Sequence, residues 1–167
     1  MRPSTAKRIV GLVVIGLFVW VGYSIWGPGG SGTPKGFIAS HQTDISTVFL
    51  QATDVEGGVT AAANGQLTAV QLAQRGQMAH DQIDAIRSDF AAAPGNSGTE
   101  VFVAVNDLKN AAGALVSFTG TPSPATLVGF EDKWNTAVAE WNQGMTQMYE
   151  SANESNPPTI SPLNLGT

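Results

Sequence analysis

Two clusters of soft ligands are the first candidates for chemistry in this sequence. Met78-Ala-His80 and Met145-x-x-Met148 carry the thioethers and imidazole that suit Cu(I). Met78 and His80, however, stand about 200° apart on a helix, so one site can hardly use both. Met145 and Met148 continue an apolar stripe, in which methionine serves as a core gap-filler. The chain's two histidines, His41 and His80, would be the axial pair of a haem held between facing helices. Their settings, Ser-His-Gln-Thr and Ala-His-Asp-Gln, are polar and read as surface. His80 and Asp84 have the i, i+4 spacing of a helix-stabilising pair that implies no catalysis. No metal or cofactor is expected.

The carboxylates are equally plain. Asp81 and Asp84, or Glu131 and Asp132, are neither two acids facing across a cleft nor a loop of closely spaced oxygens. Asp81, Asp84 and Asp89 read as a solvated helix face. The sequence contains no G-x-S-x-G, P-loop or dinucleotide fingerprint. Without cysteine, disulfides, thiolate catalysis, zinc–thiolate sites and covalent haem attachment are excluded. Trp134 and Trp141, seven apart, share a helix face; they could line a ligand pocket, and core packing is the commoner use of such a pair. The expectation is a protein that is not an enzyme.

The elements that position these residues begin at the N-terminus. Arg2, Lys7 and Arg8 precede the uncharged run IVGLVVIGLFVWVGYSIW, residues 9–26. At a rise of 1.5 Å per residue this reaches about 27 Å, close to the thickness of bilayer hydrocarbon. The basic head predicts an N-terminus in the cytoplasm, and Trp20, Tyr23 and Trp26 suit the outer interface. The run is longer than a usual signal-peptide core and no A-x-A-like site follows, which favours a retained signal anchor over a cleaved leader. No two small residues stand four apart in it, and it holds no ionisable group, so it reads as a plain tether. The stretch GPGGSGTPKG, residues 27–36, reads as a flexible linker with a reach of roughly 17 Å.

Beyond the linker the apolar period is helical. A first helix over residues 37–54 places Ile38, Ile45, Val48, Phe49 and Ala52 on one face and stops at Gly57-Gly58. A second, over 65–92, carries Leu67, Val70, Ala79, Ile83, Ile86 and Phe90, with a weaker, Gln-rich middle, and ends at Pro94-Gly95. The third opens on Ser97-Gly-Thr-Glu100, a capping-box pattern, and runs through Val101, Val105, Leu108, Ala112 and Leu115. The fourth opens on Ser123-Pro124 and has the cleanest stripe: Leu127, Phe130, Trp134, Val138, Trp141, Met145 and Met148. The reading is all-α: a transmembrane helix followed by an antiparallel four-helix bundle over 37–153, with residues 55–64 as its longest connection. The tail from 154, ending NPPTISPLNLGT, is expected to be extended or disordered. No internal repeat stands out.

Charge narrows the partners. Of the eight Lys and Arg, three lie in the head, leaving Lys35, Arg75, Arg87, Lys109 and Lys133 against all thirteen Asp and Glu. An acidic exterior so poor in cations argues against nucleic acid and anionic lipid. The expected role is a membrane-anchored, extracytoplasmic accessory subunit of a bacterial membrane or envelope complex, with a membrane protein as partner. The alternatives are a bundle that binds a small molecule or lipid beside Trp134 and Trp141, and a phage- or host-encoded factor that modifies the envelope.

Overall fold

The computed structural model describes residues 32–166. Five helices account for its regular structure: α1 (Pro34–Ser40), α2 (Gln42–Ala63), α3 (Ala69–Arg87), α4 (Gly95–Ala114) and α5 (Pro124–Ser151). Short 3₁₀ turns follow α3 (Ser88–Ala92) and α4 (Leu115–Ser117), and no strand occurs among the described residues. The fold is all-helical and compatible with a helical bundle. The expected span 9–26, with Trp20, Tyr23, Trp26 and the basic Arg2, Lys7 and Arg8, lies outside the described residues. No helix among the described residues is long and apolar enough to cross a membrane.

The apolar stripes fix the packing. Val101, Val105, Leu108, Ala112 and Leu115 of the third expected stripe are all buried, as are Leu127, Trp134, Val138, Trp141, Met145 and Met148 of the fourth. Contacts pair successive helices in opposite directions. Gly76 faces Ala112 and Leu115, while Asp84 reaches Lys109, so α3 and α4 are antiparallel. Gly144 faces Val101, and the cleft lined by Ala111 and Ala137 lies further along, so α4 and α5 are antiparallel too. Small residues on α3 and α4 allow close approach, and the tryptophans and methionines of α5 fill the space they leave. Phe37 of α1 packs edge-on against Phe90 (6.1 Å), which meets Trp141 in the same way (6.3 Å), tying the first helix to the last.

Four boundaries depart from the sequence reading, each for a local reason. Gly57-Gly58 does not stop α2, which continues to Ala63. Val55, Val59 and Ala62 are buried on either side of the pair, and the side chain of Arg75 lies over Gly58 on its way to an ion pair with Asp54. Packing here outweighs the low helix propensity of glycine. The connection expected over 55–64 is therefore helical for all but its last residue, and the turn is made by residues 64–68. Ser97 does not cap α4: the helix begins at Gly95, after a turn in which Gly95 takes φ +72°, and Ser97 is buried in the first turn. The box belongs instead to Thr68 and Gln71 at the start of α3, where each side chain accepts from the other's backbone N–H. Lastly, the expected linker ends early. Thr33 Oγ1 accepts from Gly36 N (3.1 Å) with Pro34 in the first turn, so residues 34–36 are already helix. The same logic holds at Ser123-Pro124, where the expected cap is present and Thr126 completes it. Val70, expected in the core, is 67% exposed.

The glycines provide a test of this packing. A Cβ at Gly76 would lie 2.6 Å from both the Ala112 carbonyl and Leu115, whereas one at Gly57 would meet nothing within 4 Å. In chemical denaturation, Gly76→Ala is expected to destabilise by about 1–3 kcal/mol. Gly57→Ala, in an exposed helical position, should stabilise by about 0.5–1 kcal/mol.

Candidate functional site

The most elaborate polar arrangement lies where the sequence suggests least, between α5 and the C-terminal segment. Residues 152–166 contain no helix or strand beyond a turn at 152–153, yet Ile160, Leu163 and Leu165 are buried. The expectation of an extended tail holds; disorder does not, because the segment is strapped along α5 by side chains of that helix. Asn142 accepts from Ile160 N and donates to Ile160 O, both at 2.7 Å. Asn135 does the same to Leu163, accepting at 2.7 Å and donating at 2.9 Å. Trp141 Nε1 donates to the Pro158 carbonyl (2.8 Å), and Glu131 accepts from Leu165 N (3.1 Å).

The register follows from elementary geometry. Asn135 and Asn142 are seven residues apart, which returns a helix to nearly the same face about 10.5 Å further along. Ile160 and Leu163 are three residues apart, about 10 Å in extended chain. Glu131 lies four residues before Asn135, about 6 Å, and Leu165 two residues after Leu163, about 6.6 Å. The strap therefore runs antiparallel to α5 with both repeats in step. A carboxamide offers one donor and one acceptor side by side, the complement of a residue's own N–H and C=O. The groove thus reads the strap's main chain at two points, while Ile160, Leu163 and Leu165 supply the apolar contact.

One sequence signal does mark this groove. Trp134-Asn135 recurs as Trp141-Asn142, a Trp-Asn pair at heptad interval. The pair puts the tryptophan in the core and the asparagine at its border. Both indoles are fully buried and neither borders the surface clefts of about 220, 360 and 430 Å³. Trp134 stacks on Phe130 at 5.6 Å and donates to Glu56 Oε1 at 3.2 Å. Their surroundings here are protein atoms: Glu56 and Phe130 for one, Phe90 and the Pro158 carbonyl for the other.

The other candidates are scattered. Met145 and Met148 are buried in the core, and Met78 is 55% exposed. No group of three or more His, Asp or Glu able to hold a metal occurs among the described residues. His41 sits at the α1–α2 junction, stacked on Phe37 at 4.3 Å with Nδ1 3.1 Å from the Phe37 carbonyl. His80 lies against Gly113, with Nδ1 3.0 Å from Asp81 rather than paired with Asp84. Asp84 instead receives Lys109 (3.1 Å) and Arg87 (3.6 Å), and Lys109 above all holds its carboxyl below the ordinary range. Gln77 and then His80 do the same for Asp81. Burial, then the neighbouring Asp107, pushes Glu140 up.

Glu56 is the titratable group tied to the tryptophans. Burial raises its pKa, and the Trp134 N–H opposes that rise. A carboxyl raised on folding contributes stability at acid pH that is lost as pH climbs from the ordinary glutamate value through the folded one. Glu56→Gln keeps an acceptor for Trp134 and removes the titration. It is expected to melt higher than wild type at about pH 7 and alike at about pH 3, where wild-type Glu56 is protonated. For the strap, Asn135→Ala or Asn142→Ala removes two hydrogen bonds of about 0.5–1.5 kcal/mol each. Amide exchange at Ile160 and Leu163 should then quicken by roughly 10- to 100-fold while the core of α4 stays protected. The groove is known here by its own geometry alone, for no family model, curated protein or solved structure matches this chain.

Proposed function

We propose that this is a non-enzymatic interaction subunit, tethered to a bacterial membrane by residues 9–26 and presenting an antiparallel four-helix bundle outside the cytoplasm. The observation that supports the reading is the pair of asparagine carboxamides on α5 that grip the main chain of an extended segment. Main-chain pairing by side-chain amides is chemistry for holding polypeptide, as strand addition is at a sheet edge. Asp84 is engaged in an ion pair that joins α3 to α4, and Glu56 with the Trp134 indole. The acidic balance and sparse cations point to protein rather than nucleic acid or anionic lipid as the partner. A membrane protein of the envelope is the partner class that the tether makes available.

The test is purification of the tagged full chain from its native membranes in mild detergent, with mass spectrometry of what co-elutes. A membrane protein is expected at near-stoichiometric yield. Recovery of the bare chain alone would defeat the assignment. Release of the full chain from membranes by alkaline carbonate would defeat the tether.

A further inference from the structure

The polar seat of the strap lies on one helix. The hydrogen bonds between residues 158–165 and the helices come from Glu131, Asn135, Trp141 and Asn142 of α5. The contacts that α5 makes with its own strap are therefore equally available to an identical strap from another molecule. What decides between the two is the reversal joining Ser151 to Pro158, and that reversal is strained. Asn153 (φ 55°) closes α5 as a left-handed cap that asparagine tolerates, with Glu154 N on the Tyr149 carbonyl and Asn153 N on the Glu150 carbonyl; the strain lies at Asn156, which takes φ 64°. Asn156 also precedes Pro157, and a residue before proline is driven toward extended backbone by the ring. Opening the reversal would let Asn156 take the conformation that its neighbour favours. Strained hinges of this kind invite exchange of the element beyond them.

We infer that the α5 groove is a docking surface for a second copy of this chain, filled by reciprocal exchange of the C-terminal straps. This rests on the reading of the groove as a polypeptide-holding site. Residues 152–157, once straightened, span about 20 Å, enough to carry a strap from its own α5 to that of an adjoining molecule. The exchange is isologous: each α5 gives its groove and receives the partner's strap, so the assembly closes at two copies. Every carboxamide pair between a strap and an α5 is kept and the strain at Asn156 is released, at the cost of the cap bond from Glu154 N to Tyr149 and of the Lys35–Glu154 ion pair.

The experiment uses full chains in mild detergent and native mass spectrometry. One variant, Asn135→Ala/Asn142→Ala, has a sound strap and a damaged groove. The other, Ile160→Asp/Leu163→Asp, has a sound groove and a damaged strap. Wild type is expected to show a dimer fraction that grows with concentration, and each variant alone to be monomeric. The mixture should give a 1:1 hetero-complex, because one sound strap meets one sound groove. Asn156→Gly, which relaxes the reversal without touching the seat, should lower the wild-type dimer fraction severalfold. A mixture that stays monomeric while both variants keep wild-type circular dichroism would overturn the inference. So would homodimers of both variants at wild-type level, which would place the association elsewhere, as in the apolar run at residues 9–26. Failure of the groove reading shows separately, as Ile160 and Leu163 amides exchanging at free-peptide rates in the wild-type monomer.

Discussion

The structure depends on α5, a helix that must be covered on more sides than its neighbours can reach. It carries Trp134, Trp141, Met145 and Met148, all fully buried, while the facing helices offer mostly Ala, Val and Gly. Glycines permit the close approach seen at Gly76 of α3 and at Gly144 of α5, and the tryptophans and methionines of α5 supply the bulk that makes a packed core. Its remaining border is closed by the strap. A helix edge bearing indoles cannot simply face water, and the strap covers it with Ile160, Leu163 and Leu165. The asparagines and the Trp141 N–H satisfy backbone groups that burial of an unpaired extended segment would otherwise leave bare.

Electrostatics plays a secondary part. The ion pairs Arg75–Asp54 and Lys109–Asp84 join neighbouring helices at exposed or partly exposed positions, where solvent screens the attraction and such pairs add little. The groove uses neutral carboxamides, whose hydrogen bonds depend little on salt, in keeping with a chain of so few cations. Glu56 is the exception, a half-buried carboxyl held by the Trp134 indole. It places a titratable group beside the helix that organises the aromatic core.

The helices were legible where hydrophobic period and cap chemistry agreed. The stripe from Leu127 to Met148 and the Ser123-Pro124 start of α5 appear as expected. Local signals misled where packing outweighed them. Gly57-Gly58 reads as a stop until Arg75 is seen lying against it, and Ser97-x-x-Glu100 reads as a cap until the turn at Gly95 places it inside the helix. Thr68-x-x-Gln71 falls inside the helix expected over 65–92, where glutamine signals a weak core face as readily as a capping box. The groove was hidden for a different reason. Its two halves are a heptad echo in a helix and a 3-then-2 spacing in a proline-rich tail, and neither pattern has meaning until both lie side by side. The three prolines and the absence of charge after Glu154 make disorder the natural reading, although those prolines stand where the strap asks for no donor.

That placement has a consequence for which substitutions the segment can absorb. Only the N–H groups of Ile160, Leu163 and Leu165 are engaged by α5, and Pro157, Pro158 and Pro162 occupy positions whose missing N–H costs nothing. Because the asparagines grip backbone, they are blind to the identity of the residues they hold. Thr159, Ser161, Pro162 and Asn164 are exposed and contribute no hydrogen bond to α5 that the grip requires. The strap is consequently a sparse alphabet: three apolar letters at fixed intervals, with the intervening positions free to drift without loosening the fold.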